Sequence, residues 1–87
     1  MYVICVYDVK EKRCNKFLKL LRKYLFHVQK SVFEGTLTPK QYECLVQEID
    51  AIVNLKEDNV VFYISYNEKQ VYKNEIGIKH NIGNIII

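Results

Sequence analysis

The sequence predicts a small α+β fold, in which a mainly antiparallel sheet carries two helices on one face. Stretches rich in β-branched and aromatic residues alternate with two segments of helical period. No repeat, low-complexity tract or Pro/Gly/Ser linker separates them, so the elements should pack directly on one another. With 87 residues, the chain is expected to form one domain, 1–87, on a single core.

The first predicted element is a strand from Tyr2 to Tyr7, followed by Asp8. Its nearly continuous apolar run is typical of a central strand that is covered on both faces.

The same run is too short for a signal peptide or a membrane span. The three cysteines are odd in number and form no CxxC pair, which fits a reducing compartment. We therefore expect a cytoplasmic protein without a membrane partner.

A basic helix is predicted next, from Glu11 to about Leu25. Apolar residues recur there at helical spacing, at Cys14, Phe17, Leu18, Leu21, Tyr24 and Leu25. Residues 10–30 hold eight Lys and Arg against one acid, a net charge of +7, so the remainder carries −4 of the total +3. We call Lys16, Lys19 and Arg22 of this helix the basic ridge, and clustered cations of this kind favour nucleic-acid binding.

The middle of the chain predicts an extended segment and a second helix. Residues 28–37 carry a glycine and form either one kinked strand or two short strands. Thr38 is a predicted helix cap, with Pro39 at the first helical position and Gln41 completing a capping box. The helical period then continues to Asn54, and a polar loop follows at 56–59.

The C-terminal third predicts a hairpin and an apolar tail. A strand at 60–66 is followed by a turn at 67–69 and a shorter strand at 70–76. With right-handed crossovers, this order of elements predicts a ferredoxin-like sandwich.

The chain is also expected to form a homodimer. Seven Tyr and four Phe are more aromatic side chains than one small core can bury, so some of them should lie in an interface. The tail, 78–87, is expected to add a strand to the partner's sheet.

Several segments together resemble a known family. They are Tyr7-Asp8-Val9 at the end of the first strand, Arg13 soon after, the segment from Gln29 to Gly35, and the strand from Asn59 to Tyr66. Nearly the whole chain resembles the small CRISPR-associated protein of spacer acquisition, often called a CRISPR-associated endoribonuclease. The resemblance implies a ferredoxin-like homodimer with a Mg²⁺-dependent phosphodiesterase activity on RNA or double-stranded DNA, in which Mn²⁺ can substitute. It also implies partnership with CRISPR integrase dimers.

The resemblance also implies roles for individual residues. Asp8 becomes the candidate catalytic residue and metal ligand, and two facing copies of it could share one ion across a dimer axis. Tyr7 lies beside this site. Arg13 and the basic ridge would hold nucleic acid, and Ser31 and Phe33 match the family segment that lines the cleft.

Each of these residues also has a purely structural interpretation. Asp8 could cap the basic helix, because Asp8-Val9-Lys10-Glu11 fits a capping box. Arg13 and its neighbours could be an ordinary solvated helix face. Ser31 and Phe33 could be strand and core residues. The two histidines, His27 and His80, lack partners at ligand spacing and are expected to be structural or surface residues.

Three functions are compatible with these residues. The first is a metal-dependent endonuclease with Asp8 as ligand. The second is a non-catalytic DNA-binding scaffold that bridges integrase dimers, and the third is a toxin-like ribonuclease resembling virulence-associated protein D. The basic helix suits all three, so the role of Asp8 has to distinguish them.

Overall fold

Seven elements follow one another along the chain in the computed structural model, which describes residues 1–67 and 69–79. They are β1 (Tyr2–Asp8), α1 (Glu11–Arg22), β2 (Phe26–Gln29), β3 (Val32–Thr36), α2 (Pro39–Ile52), β4 (Asn59–Asn67) and β5 (Gln70–Gly77). His80 and most of the predicted tail, 80–87, lie outside the described residues, as does position 68 of the predicted turn. The exchange of the tail between subunits therefore stays a prediction.

The five strands form one sheet in the order β2-β3-β1-β4-β5, with every neighbouring pair antiparallel. β1 is the middle strand, and its Val6 lies opposite Val32 of β3 and Val61 of β4. The expected α+β fold, a mainly antiparallel sheet with two helices, is confirmed.

The segment 28–37 contains the end of one short strand and the whole of a second, which form a hairpin. β2 begins earlier than predicted, at Phe26, and its pairing with β3 shifts register between His27 and Gln29. The backbone N–H of Tyr7 donates to the Ser31 carbonyl over 3.1 Å. This bond ties the hairpin turn to the end of the central strand.

The two helices begin and end close to the predicted residues. The capping box at the start of α2 is confirmed: Gln41 N–H donates to Thr38 Oγ1 over 3.1 Å, and Thr38 N–H donates to Gln41 Oε1 over 2.8 Å. α1 ends at Arg22, before the predicted Leu25. Leu25 is nevertheless buried, because its N–H still donates to the Leu21 carbonyl and holds it against the core.

Both helices cover the same face of the sheet. Their side chains meet alternate residues of the strands in one core, which includes Val3, Cys5, Tyr7, Phe17, Leu21, Phe33, Leu45, Ile49, Val60, Phe62 and Ile64. Burial raises the pKa of the Cys5 thiol in this core to about 12.

The other face of the sheet carries no helix in the described part of the chain, and we call it the open face. Tyr2, Ile4, Val6 and Asp8 of β1 lie on it by strand alternation. Tyr2 is 41% exposed, and Ile4 and Val6 are half-buried. The prediction that β1 is covered on both faces is therefore wrong for the single chain.

The end of β5 returns to the start of β4. Gly77 has a φ of +96°, and a Cβ placed there would lie 2.0 Å from the carbonyl oxygen of Asp58. The same carbonyl accepts the N–H of Ile78 over 2.8 Å, and the Asn59 side chain donates to the Ile78 carbonyl over 2.7 Å. This close approach leaves room only for glycine at 77.

Candidate functional site

Asp8 is an exposed carboxylate at the end of the middle strand. It lies opposite Asn59 of β4, on the side of the open face. Within residues 1–67 and 69–79, its carboxylate takes part in no hydrogen bond or ion pair. The oxygens are therefore available to an external cation or donor.

Asp8 does not cap α1, which corrects the capping-box interpretation. The cap residue is Lys10, with φ −62° and ψ 144°, and no side chain caps the helix locally. The chain stays extended beyond β1, so the helix begins too late for the Asp8 carboxylate to reach its first turn. The Lys10 N–H instead donates to Asp58 Oδ1 over 3.0 Å.

Asp58 is the buried carboxylate that holds this region together. Its Oδ1 accepts the Lys10 N–H and Arg13 Nη2, at 3.0 and 2.9 Å. Its Oδ2 accepts Arg13 Nε and the Asn54 N–H, at 2.6 and 2.9 Å. Each oxygen thus receives two hydrogen bonds, which offset the cost of burying the charge. The carboxylate links the start of α1 to the loop before β4.

The protonation of Asp58 reflects this environment. Burial alone would raise the pKa of its carboxyl group, but the hydrogen bonds from Arg13 and from the Asn54 and Lys10 amides outweigh burial and lower the pKa to about 2. Asp58 is therefore ionised at neutral pH, and the Arg13 pair carries balanced charge.

Arg13 is engaged inside the fold. Its Nη2 also donates to Glu57 Oε1 over 2.8 Å, and its side chain is only 12% exposed. The hydrogen bonds to Asp58 and Glu57 raise the pKa of Arg13 above its ordinary value. To steady a phosphate, Arg13 would have to leave a bidentate pair with a buried carboxylate. The structure thus favours a structural role for Arg13 over the expected contact with nucleic acid.

Phe33 belongs to the core, which corrects its expected place in a nucleic-acid cleft. It is fully buried, and its ring centroid lies 6.2 Å from that of Tyr7 and 4.5 Å from that of His27. Tyr7 is also buried, and burial is the main cause that raises the pKa of its phenol. Ser31 is half-buried in the turn between β2 and β3, and its predicted contact with nucleic acid stays a prediction.

The basic ridge lies away from Asp8. Lys16, Lys19 and Arg22 are exposed on α1, which covers the face of the sheet opposite the open face. The fold therefore does not gather Asp8 and the ridge in one cleft. A nucleic acid that touches both would have to pass around the sheet, so we treat them as two separate surfaces.

The described part of the chain offers few ligands for a metal ion. Among the residues that the structure describes, no three His, Cys, Asp or Glu side chains are grouped so that they could hold one. A cation at Asp8 would therefore need ligands beyond the residues that the structure describes. In residues 1–67 and 69–79, we also find no helix with the length and apolar character of a membrane span.

Sequence signals point to Asp8 but not to Asp58. Asp8 ends a conspicuous apolar run, whereas Asp58 lies in what the sequence presents as a polar loop at 56–59. Its partner Arg13 is 45 positions away. The one local signal is the acidic pair at 57 and 58 directly before a buried strand.

Comparisons with known proteins agree with this fold. The sequence model of the family described as "CRISPR associated protein Cas2" matches residues 1–73. A protein of Dictyoglomus turgidum named "CRISPR-associated endoribonuclease Cas2" is 47% identical over 81 residues, 93% of each chain. A protein of Thermotoga maritima with the same name is 48% identical over 79 residues, 91% of each chain.

Solved structures show the same similarity. One described as "Crystal structure of cas2" is 39% identical, has a TM-score of 0.74, and covers 100% of this chain and 98% of its own. A crystal structure of Streptococcus pyogenes Cas2 is 32% identical with a TM-score of 0.69, over 75% of this chain and 86% of its own. The similarity thus extends to the sheet and both helices.

Proposed function

We propose that this chain, which belongs to the CRISPR associated protein Cas2 family, is an endonuclease of CRISPR adaptation that works as a homodimer on RNA or double-stranded DNA. The relatives that carry the name endoribonuclease support a nuclease function. Within the chain itself, the supporting observation is the exposed carboxylate of Asp8 at the end of the middle strand, which has no partner among the described residues.

A homodimer would supply the second carboxylate that the described residues of one chain do not place beside Asp8. The open face presents Tyr2, Tyr63 and Val71, which are 41%, 38% and 68% exposed. Burial of such an apolar sheet face against a second copy would stabilise both chains. If the two open faces meet, Asp8 and Asp8 of the partner subunit can approach each other.

The residues present fit a loosely held Mg²⁺ or Mn²⁺. Magnesium in proteins often takes one or two carboxylates and completes its shell with water and substrate phosphate oxygens. Asp8 of each subunit would provide these carboxylates. When bound, such an ion neutralises charge on the scissile phosphate and lowers the pKa of a water.

Asp8 itself would act by position. Its position at the end of β1 is fixed from two sides, because its strand neighbour in β4 is Asn59 and the Lys10 amide is held by Asp58. The carboxylate therefore projects from a rigid strand end, where it needs no rearrangement to meet a cation. Phosphates of the nucleic acid would be attracted by the basic ridge on the helix side.

A non-catalytic scaffold that bridges CRISPR integrase dimers is the second candidate. It is favoured by the engagement of Arg13 with Asp58 and Glu57, which removes from the Asp8 end a cation that could stabilise a transition state. In this case the exposed surfaces would hold DNA without cleaving it. Because the chain belongs to the Cas2 family, we do not pursue the toxin-like ribonuclease as a candidate function. A cytoplasmic location stays a prediction.

The experiment that tests the enzyme uses Asp8→Asn. Wild-type protein should cleave RNA or double-stranded DNA only with Mg²⁺ or Mn²⁺, and the variant should lose cleavage while it keeps its nucleic-acid affinity, since only the charged side chain attracts the ion. Asp50→Asn is the matched control, because Asp50 is an exposed aspartate on α2. It should cleave like wild type.

Two results would exclude the endonuclease. One is the absence of metal-dependent cleavage by wild type at any pH between about 6 and 9. The other is equal cleavage by Asp8→Asn and wild type. Either result, together with retained binding of duplex DNA, would support the scaffold.

A further inference from the structure

An apolar groove lies between α1 and α2 at the helix layer, away from Asp8. Its volume is about 430 Å³, and it is lined by Lys16, Lys19, Leu20, Lys23, Glu48, Ala51 and Ile52. The function proposed above for Asp8 makes no use of this groove, although two of its lysines belong to the basic ridge.

The floor of the groove is apolar and reachable. Ala51 is exposed and Ile52 is half-buried, while Leu20 beneath them is 7% exposed. The methylene stems of the flanking lysines extend this apolar surface. A ligand that lies here would gain by covering hydrocarbon as well as by meeting charge.

The rim of the groove carries unbalanced positive charge. Glu48, the single acid of the lining, already accepts Lys23 Nζ at 2.7 Å and the hydroxyl of Tyr24. Lys16 and Lys19 form no ion pair within residues 1–67 and 69–79. Two ammonium groups, three positions apart on one helix, therefore remain for a ligand.

We propose that this groove binds an acidic amphipathic helix of a partner protein. A helix laid between two helices can place apolar residues, spaced three and four apart, on the floor. Carboxylates on its flank would then reach Lys16 and Lys19, since side chains three positions apart are neighbours on a helix.

Other occupants fit the groove less well. A phosphodiester backbone would meet the two ammonium groups but would leave the apolar floor uncovered. The chain's own residues 78–87 contain no Asp or Glu, so they cannot neutralise the rim. Because Lys16 and Lys19 also belong to the basic ridge, the acidic helix and nucleic acid would compete for these two lysines.

The test uses Ala51→Glu, which puts a negative charge on the floor at an exposed helical position that tolerates Glu. Gln47→Glu is the matched control, because it adds the same charge at an exposed position of α2 outside the lining. Circular dichroism establishes that both variants fold. The probe is a fluorescein-labelled synthetic helix with leucines at three- and four-residue spacing and glutamates elsewhere, and a second version replaces its leucines with serine.

Fluorescence anisotropy should show that Ala51→Glu weakens binding of the leucine probe about tenfold or more, the scale on which like charges discriminate at an interface. Gln47→Glu should change it less than about twofold, as expected of an exposed charge outside the groove. The serine probe should bind wild type at least about tenfold more weakly, because it lacks the apolar anchors.

Three results would overturn the proposal. Equal losses in Ala51→Glu and Gln47→Glu would mean that the probe senses only overall charge. Equal binding of the leucine and serine probes would mean that the floor is not used. A loss of duplex-DNA affinity in Ala51→Glu as large as the loss of probe affinity would assign the groove to nucleic acid instead.

Discussion

The Arg13 guanidinium and the Asp58 carboxylate form a bidentate ion pair across 45 positions of the chain, with Nε 2.6 Å from Oδ2 and Nη2 2.9 Å from Oδ1. Asp58 is fully buried, and it also holds the amide of Lys10 directly before α1. The pair therefore joins the start of the basic helix to the strand that neighbours β1.

Asp58→Asn should lower the free energy of unfolding by about 3 kcal/mol, because it removes one partner of a buried pair and leaves Arg13 uncompensated. Urea unfolding at neutral pH measures this change. Glu57→Gln is the control, since Glu57 is the exposed partner of the same guanidinium, with 39% of its side chain accessible. A loss as large in the control would show that the buried bonds of Asp58 are not the source of stability.

Acid should weaken the fold through Asp58. Its pKa in the folded chain is lowered to about 2, whereas an unfolded aspartate has a pKa of about 3.9. The stabilisation is therefore complete above about pH 4 and is lost as the pH falls toward 2. Unfolding free energies measured at pH 5, 4, 3 and 2 should fall more steeply for wild type than for Asp58→Asn. Parallel curves for the two proteins would contradict this assignment.

Replacement of the basic ridge by Lys16→Ala, Lys19→Ala and Arg22→Ala together should weaken binding of duplex DNA. The slope of log K against log salt should also become shallower, because fewer counterions are released. The matched control removes three exposed lysines elsewhere, at 40, 56 and 69. If both triple variants lose the same affinity, net charge governs binding and the ridge has no special part in it.

Gly77→Ala should destabilise the chain by about 1–3 kcal/mol, because its φ of +96° is unfavourable for alanine and the new Cβ would meet the Asp58 carbonyl. Thermal unfolding measures the effect. Gly35→Ala is the comparison, since its Cβ would lie 3.1 Å from the movable Leu25 Cδ2. A smaller loss in Gly77→Ala than in Gly35→Ala would argue against the tight approach at 77.

Local signals in the sequence predict both helices and most of the strands, but they leave open whether residues 28–37 form one strand or two. Thr38, Pro39 and Gln41 encode the start of α2 within four positions, and the structure contains the predicted capping box. The apolar run from Tyr2 to Tyr7 correctly predicts a central strand, although not which of its faces is covered. These features depend on residues that are close together in sequence, so they can be predicted from one amino-acid sequence.

The candidate site depends on contacts between residues that are far apart in sequence, and such contacts are harder to predict from the sequence than helices and strands. The expected cap at Asp8 is wrong because the chain stays extended as far as Lys10, and a carboxylate 48 positions from Lys10 binds that amide instead. The resemblance places Phe33 in a cleft, but its strand turns it toward the helices. No spacing rule in the sequence indicates which face of β3 the helices cover.

The central position of β1 sets the order in which the sheet can be completed during synthesis. β1 leaves the ribosome first, but its partner β4, residues 59–67, leaves only after both helices and the β2-β3 hairpin. Until then the nascent chain can pair β1 on one side with β3, while its second edge exposes free N–H and C=O groups. A chain interrupted before residue 59 would therefore present its middle strand as an open template for aggregation.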